Sequence, residues 1–223
     1  WLLQLSGHHV GLACRDGLFV GRRKLENPDD SVWESGRRLL VNRNVEAAVF
    51  ESDPITLLTE GLPYDRCHVG VVTDSLPVPG LDEHLMPEAE HRFKILRTQV
   101  DVVLPSGVAV LNAADPTVLD MAKLCDGDVL LYAVDGQHPG LKDHRALGKR
   151  TVYMNGDIVV QDDGKHRFEL IARNELPPIV RSLPADVLLA AVGAALALSL
   201  DAETISTGLK TFEPLNSGYP LSA

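Results

Sequence analysis

Cysteine is scarce in this chain. Three occur in 223 residues, Cys14, Cys67 and Cys125, widely spaced and with no CxxC pair. That argues against a disulfide framework and a thiolate zinc site, and reduced thiols fit the cytoplasm. A long apolar run is also missing. The longest, "VLLAAVGAALALSL" at 187–200, falls short of the roughly 20 residues that a membrane span needs. It follows Asp186 and reads as a buried helix. Basic residues are the minority: 21 Lys and Arg stand against 31 Asp and Glu, a formal net charge of -10. They gather only as Arg22, Arg23, Lys24 and as Arg37, Arg38, never as a stripe. Neither nucleic acid nor a membrane is therefore expected as a partner. No internal repeat occurs.

What is present is a globular composition, 45% hydrophobic and 23% charged. It suffices for one large domain and is too apolar for disorder. "HHVGLACRDGLFV" reads as a short strand, a turn at Asp16-Gly17 and a second short strand. Val32, Leu39 and Leu40 have helical spacing, which predicts a helix over 31–42 capped by Asp29, Asp30 or Ser31. "VEAAVFE" (45–51) and "HVGVVTD" (68–74) are apolar runs without alternation, the pattern of parallel strands covered on both faces. Phe93, Leu96, Val100 and Val103 predict one face of a single helix. "GVAVLN" (107–112) is a strand. Asp115 and Pro116 then open a helix as cap and first residue, and "DVLLYAV" (128–134) completes a strand–helix–strand unit. From 150 to 172 the pattern alternates, with hairpin turns at Asn155-Gly156 and Asp163-Gly164. A helical pair over 184–199 and 202–212 follows. The reading is an α/β fold: a mostly parallel sheet flanked by helices, with an antiparallel edge hairpin.

Five stretches come in one order and at compatible spacings: "SGRRLLVNRNVEAAVFE" (35–51), "EGLPYDRCHVGVVTD" (60–74), "GVAVLNAADP" (107–116), "VYMNGDIVV" (152–160) and "LAAVGAALALSLDAETISTGLKTFEP" (189–214). Together they resemble the central domain of the Mur ligase-like half of the cyanophycin synthetase family. The resemblance runs from about Val10 to Pro214, and is most specific at "EGLPYDRC" and "AVLNAADP". It implies a Mur ligase-like central domain over 1–214 that lacks its phosphate loop, a tail or linker over 215–223, and a fragment of a longer protein. It also implies ATP-dependent ligation, in which ATP with Mg2+ phosphorylates a carboxylate and an amine then attacks. In this family the matching half is similar to the part that adds arginine to aspartate side chains of the cyanophycin polymer. An active member would thus meet ATP, arginine and polymer, as a cytoplasmic homo-oligomer.

Site residues follow from the resemblance one at a time. Glu51 ends its strand where the family has a magnesium-binding carboxylate; a solvated strand-end acid is the other reading. His84, in "LDEHLM", matches the family's Asp-His-Leu motif, with Glu83 in the Asp position. It is a ligand for magnesium or phosphate, or a solvated loop histidine. Glu51 and His84 are the catalytic and metal candidates. Asn112 matches the adenine-side Asn and Asp115 an acid near the ribose, so these are the nucleotide-binding candidates. Asp115 also explains itself as a helix cap.

Other positions depart from the family pattern. No GxxxxGK[ST] phosphate loop occurs; the resemblance puts it just ahead of Trp1. Ser52-Asp53-Pro54-Ile55 replace an Ala-Arg-Gly-Gly run, so Pro54 stiffens the segment and Asp53 adds an acid beside the expected phosphate path. Lys94 is two positions from Leu96, where the family has a lysine. Val187 replaces a nucleotide-facing Asn, Asp186 a Glu, Asp74 an Asn, and Ala114 an acid. Asp65 and Arg66 are expected to pair or cap locally. A kept framework around altered polar positions predicts a degenerate module for structure, assembly or polymer binding, needing no cofactor. The alternative is a working ATP- and Mg2+-dependent amide ligase whose phosphate loop lies upstream.

Overall fold

The computed structural model describes residues 1–26, 32–77 and 89–214. The expected caps at 29–31, the loop carrying His84 and the tail at 215–223 lie outside them. The chain forms two compact units. One comprises Trp1–Tyr64 and the stretch from Phe212 onward; the other comprises Asp65–Thr211.

The first unit holds α1 (Leu2–Leu5), β1 (Val10–Cys14), β2 (Gly17–Val20), β3 (Arg23–Glu26), α2 (Val32–Leu40), β4 (Ala47–Phe50) and α3 (Pro54–Thr59). Its sheet has the order β3-β2-β1-β4. The Asp16-Gly17 turn closes an antiparallel hairpin in which Cys14 faces Gly17. β4 lies parallel to β1, with α2 packed over β1 on a small core of Ala13, Leu18 and Leu39. β3 has no apolar signature in the sequence. Its Arg23 and Lys24 are charges of the kind that edge strands carry. β4 is less buried than its composition predicts, with Val49 exposed, because it too ends the sheet. The Asp53-Pro54 segment, expected to be stiffened by the proline, is the start of α3. Asp53 caps that helix, with Oδ1 accepting from the amides of Ile55 and Thr56, and Pro54 takes the first turn, where no amide is needed.

The second unit runs β5 (Cys67–Val72), α4 (Ala89–Leu96), α5 (Thr98–Asp101), β6 (Val103–Asn112), α6 (Pro116–Asp120), β7 (Asp128–Asp135), α7 (Pro139–Ala146), β8 (Thr151–Asn155), β9 (Ile158–Asp162), β10 (Arg167–Ala172), α8 (Pro178–Arg181), α9 (Ala185–Ala197) and α10 (Ala202–Lys210). The sheet order is β10-β9-β8-β7-β6-β5. β5 to β8 are parallel, and β8, β9 and β10 form the antiparallel edge. Fold class and edge hairpin match the sequence reading.

Alternation along the strands divides the core. Ala109, Leu111, Val129, Leu131 and Ala133 face one layer, closed by Leu96, Val100, Val118, Met121 and Leu141 of the crossover segments. The other face belongs to α9. A Cβ built on Gly193 would lie 2.8 Å from Val110 and 3.2 Å from Leu130, so the helix lies directly on β6 and β7. Leu188, Leu189, Val192 and Leu196 of α9 are all buried, each contributing about 1.5–3 kcal/mol.

Two sequence readings change here. The single helix expected through Phe93, Leu96, Val100 and Val103 is broken. α4 ends at Leu96, the chain tightens as the Val100 amide bonds the Arg97 carbonyl at 2.8 Å, and Val103 already pairs in β6 opposite Cys67. Apolar spacing alone cannot separate a helix face from a strand start. α7 is an added element: only Leu141 and His144 are buried in "PGLKDHRA", too few to show a period.

Candidate functional site at the carboxyl edge of the parallel strands

Open α/β sheets bind ligands beyond the carboxyl ends of their strands. In the second unit that edge is formed where β5, β6 and β7 end. The β6–β7 register places Asn112 opposite Tyr132, and Thr73 and Asp74 directly follow β5. α9 runs against the strands. Its last turn meets their amino ends, where Arg150, just before β8, donates to the Leu196 carbonyl at 3.3 Å. Its first turn, with Asp186 and Val187, therefore lies at the carboxyl edge.

The structure brings Asn112 and Asp115 together at this edge and gives both of them local work. The Asn112 Nδ2 donates to the Thr73 carbonyl at 2.9 Å, and its Oδ1 accepts from the Ala114 amide at 3.0 Å. The Asp115 Oδ1 accepts from the Thr117 and Val118 amides at 2.9 and 3.2 Å, the N-cap of α6. Its Oδ2 accepts from the Ser75 amide at 2.7 Å and the Ser75 hydroxyl at 2.8 Å. Burial works to raise the Asp115 pKa, but the Ser75 hydroxyl and amide, with the helix amides, outweigh it and hold the carboxyl below its usual range. Arg92 donates from Nε to the Ser75 carbonyl at 3.0 Å. Together these bonds lace the segment after β5 to the β6–α6 turn.

Glu51 lies in the first unit, just past β4. Its two oxygens hold Arg15: Oε2 accepts from the Arg15 amide at 2.8 Å and Oε1 from the Arg15 Nε at 2.7 Å. A magnesium ion on Glu51 would displace that pair. Among the described residues no group of three or more His, Cys, Asp or Glu side chains could hold a metal ion. Asp53, expected as a repulsive charge, is spent on its helix cap. Burial works to raise its pKa, but the Thr56 hydroxyl and the Thr56 and Ile55 amides outweigh it and hold the carboxyl below its usual range.

The remaining candidates divide between surface and core. Lys94 pairs with Glu90 at 2.7 Å on the exposed side of α4, whereas Leu96, two positions on, is buried. The two point to different faces, as a two-residue step in a helix requires. Arg66 donates to the Asp101 carbonyl at 3.4 Å, not to Asp65. Tyr64 packs on Phe50, ring centroids 5.2 Å apart. Sequence reasoning missed Ser75, Arg15 and Tyr132. Only Tyr132 leaves a signal, a phenol near the polar end of an otherwise apolar strand.

No family model matches the chain. Cyanophycin synthetase of Geminocystis herdmanii is 29% identical over 217 residues, covering 94% of this chain and 24% of that protein. The Synechocystis enzyme is also 29% identical, over 215 residues, and that of Nostoc 29% over 225. The chain is similar to a segment of cyanophycin synthetase. It spans about a quarter of the length of these curated relatives. Among solved structures, a UDP-N-acetylmuramoyl-L-alanyl-D-glutamate–2,6-diaminopimelate ligase aligns over 95% of this chain and 42% of its own, with a TM-score of 0.66 at 11% identity. E. coli FolC, solved in complex with DHPP and ADP, aligns over 94% of this chain and 52% of its own, with a TM-score of 0.63 at 15% identity. These likenesses establish a Mur ligase-like fold. Among the described residues no helix is long and apolar enough to cross a membrane.

Proposed function

We propose that this chain is a Mur ligase-like module of a cyanophycin synthetase-like protein that has been released from ATP chemistry and serves structure, assembly or polymer binding. One observation carries this reading: among the described residues, the polar atoms expected to meet nucleotide and metal are engaged in holding the fold. Asn112 and Asp115 tie the end of β5 to α6, and Glu51 clamps Arg15. The positions where the family has a lysine and an Asn hold Leu96 in the core and Val187, whose side chain offers no hydrogen bond. Mg-ATP therefore fits these residues poorly. On this reading the module works as part of a homo-oligomer in the cytoplasm, and its domain runs over 1–214.

The alternative is a working ligase that joins arginine to aspartate side chains of cyanophycin. It is favoured by the retention of Asn112 and Asp115 at the carboxyl edge. Calorimetry with Mg-ATP tests the module reading. The module reading expects no binding, or binding weaker than about 1 mM; low-micromolar affinity overturns it. A large fall in arginine-dependent ATP hydrolysis in Glu51→Ala or His84→Ala, made in the full-length protein, overturns it equally. Light scattering checks the assembly role, with a dimer or larger particle expected.

A further inference from the structure

β10 forms one edge of the six-stranded sheet, and its first half is open to solvent. Arg167, Phe168 and Glu169 are exposed, whereas Leu170 and Ile171 beyond them are buried. The direction of their backbone groups follows from the neighbouring strands. The β8–β9 hairpin closes with Asn155 opposite Ile158, and residues that flank a two-residue turn exchange hydrogen bonds. Bonding direction alternates along an antiparallel strand, so Val159 and Gln161 turn their amides and carbonyls toward β10. Asp163 continues the alternation, its amide bonding the His166 carbonyl at 3.2 Å. Phe168, opposite Gln161, therefore bonds β9. Arg167 and Glu169, opposite Asp162 and Val160, turn their amides and carbonyls outward. Among the described residues no turn, loop or cap bond reaches these four groups. Past Glu169 the register shifts, which ends the regular edge.

The side chains suit the same direction. Arg167 and Glu169 lie on one face of the strand, 3.9 Å apart and each about half exposed. Phe168 stands on the other face, 53% exposed, with its ring stacked on His166 at a centroid distance of 6.4 Å. Charge of one sign along an edge repels a second copy. This edge instead carries one charge of each sign, placed evenly on either side of Phe168.

We propose that β10 pairs with β10 of a second copy of this chain, antiparallel about a two-fold axis at Phe168. Arg167 of each copy then faces Glu169 of the other. These are the residues whose outward amides and carbonyls can form hydrogen-bonded pairs, and opposite charges directly across two strands stabilise the pairing. The two Phe168 rings meet in the closer, non-hydrogen-bonded pair between them. The contact is isologous, so two copies close it. It is short, and a Kd of about 100 µM is expected. It supplies a surface for the assembly role proposed above and rests on that reading.

The test is sedimentation of the 223-residue chain up to about 1 mM, a concentration well above that Kd. Glu169→Arg sets positive charge against positive in both facing pairs, and Arg167→Glu sets negative against negative. Each variant is expected to raise the Kd at least about tenfold. An equimolar mixture of the two restores opposite signs in both pairs and is expected to associate like the wild type, which misfolded variants would not do. Exchange of the Arg167 and Glu169 amides should slow as the wild type is concentrated, while that of Phe168, bonded within the sheet, stays constant. A wild type that associates equally well with either charge reversed, or a mixture no tighter than its components, removes β10 as the surface and leaves the assembly reading standing. A wild type that stays monomeric throughout overturns both.

Discussion

Asp115 holds Ser75, 40 residues earlier, through two bonds to a single carboxylate oxygen, 2.7 Å from the amide and 2.8 Å from the hydroxyl. The other oxygen caps α6. One side chain thus joins the exit of β5 to the start of the helix after β6. Asp115→Ala is expected to cost about 1–3 kcal/mol of stability, the loss of a cap plus charged hydrogen bonds. Urea denaturation without nucleotide measures it. Asp115→Ser keeps a capping oxygen and should recover part of the loss. An alanine variant as stable as the wild type would mean that the carboxylate is held in reserve for a ligand.

Gly70 marks how closely α5 approaches β5. A Cβ there would run into the Gln99 carbonyl oxygen, and 2.9 Å from a Val103 methyl. Backbone cannot yield as a side-chain tip does. Gly70→Ala should therefore destabilise by about 1–3 kcal/mol, seen as a lower urea midpoint at unchanged slope.

Ser199 adopts a left-handed conformation, φ 62°, just beyond α9. Glycine favours that place after a helix because it has no Cβ to strain. Ser199→Gly is expected to raise stability by up to about 1 kcal/mol. A calorimetric Tm shift upward confirms it, and a shift downward refutes it.

His144 is buried on the inner side of α7 and donates from Nε2 to the Val129 carbonyl at 2.9 Å. Burial lowers its pKa below the usual 6.5, outweighing the opposing pull of that hydrogen bond; Lys149 lowers it further and Asp128 raises it. The unfolded chain therefore takes up this proton first as pH falls. The contribution to stability is complete above pH about 6.5 and is lost as pH drops through the folded-state pKa. The urea midpoint should fall between pH 8 and pH 5.5, and His144→Gln should flatten that part of the profile. The caps Asp53 and Asp115, with depressed pKa values, titrate below this window.

Local chemistry was enough to read the α/β architecture, the Asp16-Gly17 hairpin, the antiparallel edge over 150–172, the cap at Asp115 and the helical pair of α9 and α10. In each case the signal is a short-range period, a turn residue or a cap, and its physics is complete within a few neighbours in sequence. Val103 escaped because apolar spacing alone does not say where a helix gives way to a strand. α7 escaped because its buried side chains are too few. The roles of the polar residues were beyond reach for a deeper reason. Whether Asp115 serves Ser75 or a ribose, Glu51 serves Arg15 or a metal, and Tyr132 ends buried without a partner depends on groups tens of residues away. Hydrogen bonds form between atoms about 3 Å apart, and only the folded chain decides which atoms those are.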